Sequence, residues 1–122
     1  MSYYYLSNPY NGSPSEMRER AQAAAQACAT LLRRGVHAWS PIVHNHAMMA
    51  FSDFSLEERR ELLLPYDFTL LRAAKGMIVL KLPGWDQSFG VGKEIELCAE
   101  LGLPVYYLEP DGARYFMVPQ AR

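Results

Sequence analysis

A serine, two glycines and a glutamate alternate in Ser88-Phe89-Gly90-Val91-Gly92-Lys93-Glu94, between an apolar run and an amphipathic one. Those residue types can hold an anion. Glycines let backbone N–H groups approach a ligand, and a helix start adds partial positive charge. Ser88 adds a hydroxyl. A tight turn with Ser88 as a helix cap uses the same residues. Glu94 asks for more explanation. At about 100° per residue it shares a helix face with Leu97, Cys98 and Leu101, so a carboxylate lies on or beside the inward stripe. Burial raises a carboxylate pKa and a helix N-terminus lowers it. Their balance predicts a Glu94 that is ionised yet poorly solvated, which suits a nucleophile. A first-turn glutamate facing water is the competing arrangement.

Two phosphate motifs are excluded. A P-loop requires a glycine where Gln87 stands and Ser or Thr where Glu94 stands. A dinucleotide fingerprint requires a third glycine where Ile95 stands, after the first strand of the chain rather than a later one. His44-x-His46 could place two imidazoles on one side of a strand, but no third metal ligand follows at a telling spacing. These read as polar loop histidines, with His44 near a bound base. Tyr5 or Tyr10 could stack on that base, and Trp85 lies in the adjoining loop as a cover, a packing residue or a contact between subunits. The charges of LEERRELLL read as a solvated helix face. No metal or cofactor is expected.

Helices and strands alternate along the chain that positions these residues. Tyr3 to Ser7 is β-prone and ends in SNPYNGSPS. Ser13-Pro14-Ser15-Glu16 is a capping box with Pro14 at the first helical position. The helix it opens runs to about Arg34, with Met17, Ala21, Ala24, Cys28 and Leu31 on one face and Gly35 as the stop. Val36 to Val43 is a second strand, with Pro41 marking its end, and HNHAMMAFSDF is loop or irregular helix. Ser55 to Glu58 is another capping box. Its helix meets Pro65, which breaks or restarts it, and continues to about Lys75. Met77 to Leu82 is apolar enough for a strand buried on both faces. After the glycine turn a helix runs to about Leu101 and stops at Gly102. PVYYLE is a fourth strand, and the tail DGARYFMVPQAR adds a short edge strand. The pattern predicts an α/β three-layer sandwich of the flavodoxin or Rossmann kind, a parallel sheet of four or five strands flanked by helices. Ligands then bind beyond the C-terminal strand ends where strand order reverses. With the first strand central, SNPYNG and LPGWDQSFG flank that crevice.

With 122 residues, half of them hydrophobic and a fifth charged, the chain fits one folded domain spanning residues 1–122. A net charge of −1 gives no basic surface for nucleic acid. No apolar run approaches a membrane span and the N-terminus lacks a signal-peptide pattern, so a cytoplasmic protein is expected. Cys28 and Cys98 read as small buried thiols.

SFGVGKE followed by ELCAELGLPVYYL resembles the signature of the nucleoside 2-deoxyribosyltransferase-like superfamily. It is closest to the 2′-deoxynucleoside 5′-phosphate N-hydrolase branch. Ser88, Gly90, Gly92, Glu94, Gly102 and Pro104 match in order and spacing, and the LPGWDQS and SPIVHNHAM segments look like an uncharacterised bacterial and phage subgroup. The resemblance spans most of the chain. It implies a homodimer or larger assembly and a small-molecule nucleotide substrate. Glu94 would attack C1′ of the sugar, and Asp67 would position or protonate the leaving base. Ser88, the N–H groups near Gly90 and Gly92, and Arg18 or Arg20 would hold the 5′-phosphate, with Asn8 and Tyr10 in the loop after the first strand and His44 also in contact with substrate. The transferase branch typically carries an acid at the place of Ser88. A hydroxyl can donate to a phosphate that an acid would repel, so the resemblance favours nucleotides and hydrolysis over nucleosides and base exchange.

Overall fold

The computed structural model describes residues 2–110 and the strand 117–119. Five strands form one sheet: β1 (Tyr4–Ser7), β2 (Ala38–Trp39), β3 (Gly76–Leu80), β4 (Val105–Leu108) and β5 (Met117–Pro119). Their order is β2-β1-β3-β4-β5. The first four are parallel, and β5 runs antiparallel along the outer edge of β4. The fold is therefore the expected α/β class, with β1 inside the sheet. From β1 the chain first moves out to β2 and later returns to the other side at β3, so strand order reverses between β1 and β3.

Strand alternation divides the core in two. Tyr5, Met77, Val79 and Val105 face one way and pack with Leu71, Val91, Leu97 and Cys98 of the helices α4 (Leu64–Arg72) and α5 (Phe89–Leu101). Leu6, Ile78, Leu80 and Leu108 face the other way and meet Ala24, Ala27 and Leu31 of α1 (Pro14–Arg33). β3 is buried at all five positions, as a strand covered on both faces must be. Ser13 caps α1 through the expected capping box. Gly102 closes α5 with φ of 70°, a left-handed conformation that glycine adopts without steric cost.

Two elements differ from expectation. The second strand is only Ala38–Trp39, because Ser40 and Pro41 begin a helix instead of ending a strand. The Ser40 hydroxyl accepts from the Val43 N–H at 3.1 Å, and Pro41, lacking an N–H, takes the first position of α2 (Pro41–Met49). HNHAMM is therefore regular helix up to Met49, and it packs against α1 and β1. The second difference lies before Pro65. After α3 (Leu56–Glu58), which Ser55 caps, Arg59–Leu63 forms a π turn, with the Leu64 N–H bonded to the Arg59 carbonyl. The wider turn lets Pro65 sit inside the first turn of α4 without ending the helix.

The close approach of α1 to the sheet rests on small side chains. Ala24 and Ala27 are fully buried against it, while Ala25 is exposed. Ala24→Leu and Ala27→Leu should each lose about 1–3 kcal/mol in urea unfolding through overpacking. Ala25→Leu should stay within about 0.5 kcal/mol of the parent. Equal stability of all three variants would refute this packing.

Candidate functional site

Tyr5 and Ser7 leave β1 on the same face, two residues apart, toward α5. Both hydroxyls end on Glu94. The Tyr5 hydroxyl donates to Oε2, and the Ser7 hydroxyl donates to Oε1 at 2.6 Å. Glu94 is 5 % exposed. Burial raises its pKa to about 7; the Ser7 and Tyr5 hydrogen bonds oppose the rise, and the Asp67 charge adds to it. The poorly solvated Glu94 expected from the sequence is thus matched by its burial, which makes the carboxyl easier to protonate than an exposed one. Glu94 is the sixth residue of α5, beyond the first turn where a helix terminus stabilises an anion. Desolvation therefore dominates.

Asp67 comes from the first turn of α4 and is 7 % exposed. Its Oδ1 accepts from the Asn45 amide at 2.8 Å. Burial lifts its pKa to about 6, against the Asn45 hydrogen bond and the nearby His44. Glu94 and Asp67 line one cleft of about 620 Å³, counting its open mouth. Asn8 and Tyr10 after β1, Asn45 of α2, Arg59 and Arg60 of the π turn, and Ser88, Phe89 and Gly90 at the start of α5 also line it. The cleft thus sits between the loops that follow β1 and β3, at the point where strand order reverses.

At its outer end Ser88 caps α5, its hydroxyl accepting from the Val91 N–H at 3.3 Å. Ser88 is thus both a helix cap and a cleft residue. Phe89 and Gly90 are the first two helical residues, whose N–H groups have no preceding turn to bond. The Gly92 N–H is already bonded to the Ser88 carbonyl at 3.0 Å, and Gly92 lies off the cleft. Of the two arginines in the first turns of α1, Arg20 reaches the loop after β1. Its Nη1 donates to the carbonyls of Asn11 at 2.6 Å and Tyr10 at 3.3 Å. Arg18 is exposed and lines no part of the cleft, as the two-residue offset along a helix requires.

Other expected contacts fall elsewhere. His44 is exposed between the rings of Trp39 and Tyr66 and does not line the cleft. α2 turns its neighbour Asn45 inward instead. His46 bonds the Tyr10 hydroxyl at 2.7 Å, and no group of three metal-ligating side chains occurs among the described residues. Tyr5 is fully buried beneath Glu94 and offers no face to a base. Trp85 packs against Tyr107, with ring centroids 5.3 Å apart, and stays out of the cleft. Four contributors were missed in the sequence. Ser7 and Asn45 carry no distinguishing local pattern. Arg59 and Arg60 were read as part of a solvated face; Arg60 is exposed and Arg59 half-buried, and both line the cleft.

Among the described residues no helix is long and apolar enough to cross a membrane. A search of curated proteins finds no significant match to the sequence. Among solved structures, the chain is similar to a 2-deoxyribosyltransferase from the psychrotolerant bacterium Bacillus psychrosaccharolyticus. The TM-score is 0.61 and the identity 22 %, over 91 % of this chain and 74 % of that one. This likeness is one of fold, matching the four-stranded parallel sheet and flanking helices. A family model described as a domain of unknown function, DUF1937, matches residues 2–109. The chain therefore belongs to the DUF1937 family.

Proposed function

We propose that the protein is an N-glycosidase that hydrolyses the base–sugar bond of a nucleoside or deoxynucleoside 5′-monophosphate, with Glu94 as nucleophile. The observation that carries this reading is the pair of buried carboxyls, Glu94 and Asp67, in a cleft whose outer end holds Ser88 and the two free N–H groups of Phe89 and Gly90. The fold shared with a 2-deoxyribosyltransferase supports it. A 5′-phosphate at the helix start leaves the sugar and base toward the carboxyls. A Glu94 oxygen bonds to C1′ as the C1′–N bond breaks, and the bonding electrons leave with the base. The proton of neutral Asp67 passes to that base. Water then attacks C1′, Glu94 departs as a carboxylate, and Asp67 takes the water proton. Tyr5 and Ser7 keep the Glu94 carboxylate in one orientation through both steps.

The same nucleophile would serve base exchange between nucleosides, the activity named for the structural neighbour. Ser88 and the arginines at the outer end favour a phosphate over a free 5′-hydroxyl, and that favours the nucleotide reading. Release of base that requires an added acceptor base would select exchange instead.

Three outcomes follow. With a panel of nucleotides the parent protein should release free base, and Glu94→Gln should lower the rate by about 10³ or more. Base release by Glu94→Gln at the parent rate would remove the nucleophile assignment. The rate should also be bell-shaped in pH. The pair reacts when it holds one proton, from the minor form in which that proton is on Asp67 and Glu94 is ionised, since Glu94 has the higher pKa of the two. Below about 6 both carboxyls are protonated, and above about 7 neither is, so kcat/KM should peak between these values. A rate that rises monotonically into alkaline pH would contradict the paired mechanism. Finally, a Cβ built on Gly90 meets nothing within 4 Å. Gly90→Ala should fold with stability equal to or about 0.5–1 kcal/mol above the parent, yet bind nucleotide more weakly, because the methyl group stands where the phosphate approaches. Unchanged nucleotide affinity would place the phosphate elsewhere.

A further inference from the structure

We infer that the cleft continues past Ser88 into a second anion subsite, built by Arg20 and Arg60, that takes a second phosphoryl group and makes nucleoside 5′-diphosphates preferred ligands. The inference rests on the reading above that a 5′-phosphate sits at Ser88, Phe89 and Gly90. An outer groove shares those three residues with the main cleft, together with Tyr10, Asn11 and Arg60. The two spaces are therefore contiguous around the start of α5. Away from the carboxyls the groove is bounded by Arg20, Gly84 and Gln87.

The charges around it are poorly compensated. The Arg60 guanidinium lies 4.1 Å from the Phe89 ring centroid, which holds it beside the helix start. It has no carboxylate in ion-pair range among the described residues. Arg20 is anchored on the carbonyls of Tyr10 and Asn11, and its one ion pair among the described residues, to Glu16, spans 3.8 Å. Arg59 bonds neutral partners, the Asn11 side-chain oxygen at 3.0 Å and the Met17 sulfur at 3.5 Å, and its buried Nε has no partner among the described residues. The helix start, Ser88 and Arg59 provide enough donors for one phosphate. Arg20 and Arg60 are then left on the far side, where a β-phosphate joined through the bridging oxygen would lie, and planar guanidinium groups suit its oxygens. Asn8 supplies a separate sign of a ligand at the inner end. It is 4 % exposed and lines the cleft, and its Oδ1 has no hydrogen-bond partner among the described residues. A sugar hydroxyl or base amino group would satisfy that acceptor.

The test is calorimetric titration of the full-length protein in the Glu94→Gln background, which leaves ligands intact. Mono- and diphosphates of the same nucleosides are compared, alongside inorganic phosphate and pyrophosphate. The diphosphate should bind about tenfold tighter than the monophosphate, and in Arg60→Ala and Arg20→Ala that ratio should fall to about twofold or less. Arg60→Lys, which keeps the charge, should retain part of the ratio, and thermal melting confirms that each variant is folded. Equal or weaker binding of the diphosphate overturns the subsite, as does a ratio that survives both alanine variants. Titration needs no turnover, so the two readings can fail separately. A diphosphate preference without base release from any nucleotide by the parent protein keeps the subsite and removes the glycosidase. Base release from monophosphates without that preference does the reverse.

Discussion

Glu94 can be buried only because Tyr5 and Ser7 arrive at its two oxygens from the same face of β1. An uncompensated carboxylate in that position would cost several kcal/mol, and each hydroxyl donor offsets part of it. The arrangement ties the start of α5 to the C-terminal end of a central strand. It also holds the carboxyl at the floor of the cleft with a pKa near neutrality, where a group can act both as charge and as proton carrier. The sheet order, the cap at Ser88 and the length of the turn after β3 all bear on that one contact. A shift of a single residue in β1 would turn both hydroxyls to the α1 side and leave Glu94 without donors.

The second carboxyl depends on a different device. Pro65 would end an ordinary helix before Asp67 could be presented from it. The π turn at Arg59–Leu63 absorbs the missing N–H and the bulk of the ring, so α4 continues and Asp67 reaches the cleft beside Asn45. The same turn brings Arg59 and Arg60 to the lining of the cleft. One local irregularity thus serves both ends of the cleft, in keeping with the tendency of π turns to occur at functional sites. The glycines divide by purpose as well. Gly102 has a positive φ that the fold requires, whereas Gly90 has an ordinary backbone and open space beside it, so the fold alone gives no reason for glycine there.

Much of this was legible in the chain. The capping boxes at Ser13 and Ser55, the buried run of β3 and the stop at Gly102 are local signals, set by hydrogen bonds and torsions within a few residues. They were sufficient for the α/β class and for placing Glu94 on an inward face. Ser40-Pro41 carries a cap-and-proline signal like that of Ser13-Pro14. Read as the end of a strand, it hid α2 and with it the inward turn of Asn45. Arg59 and Arg60 were read only as surface charge, because nothing in the local sequence shows which neighbouring elements close a cleft beside them.

By itself the sequence determined most of the helices and strands, α2 and the π turn excepted, the glycine-lined start of α5, and the one carboxylate that helical spacing turns inward. Those follow from local periodicity and capping. The tertiary structure alone decided that Tyr5 and Ser7 hold Glu94, that Asn45 holds Asp67, that Arg20 rather than Arg18 reaches the loop after β1, and that burial outweighs the Ser7 and Tyr5 hydrogen bonds and raises the Glu94 pKa. These pairings join residues from different elements, separated by as many as 89 positions in the Tyr5–Glu94 contact. The depth of burial that sets each pKa exists only once the sheet and helices have closed around the cleft.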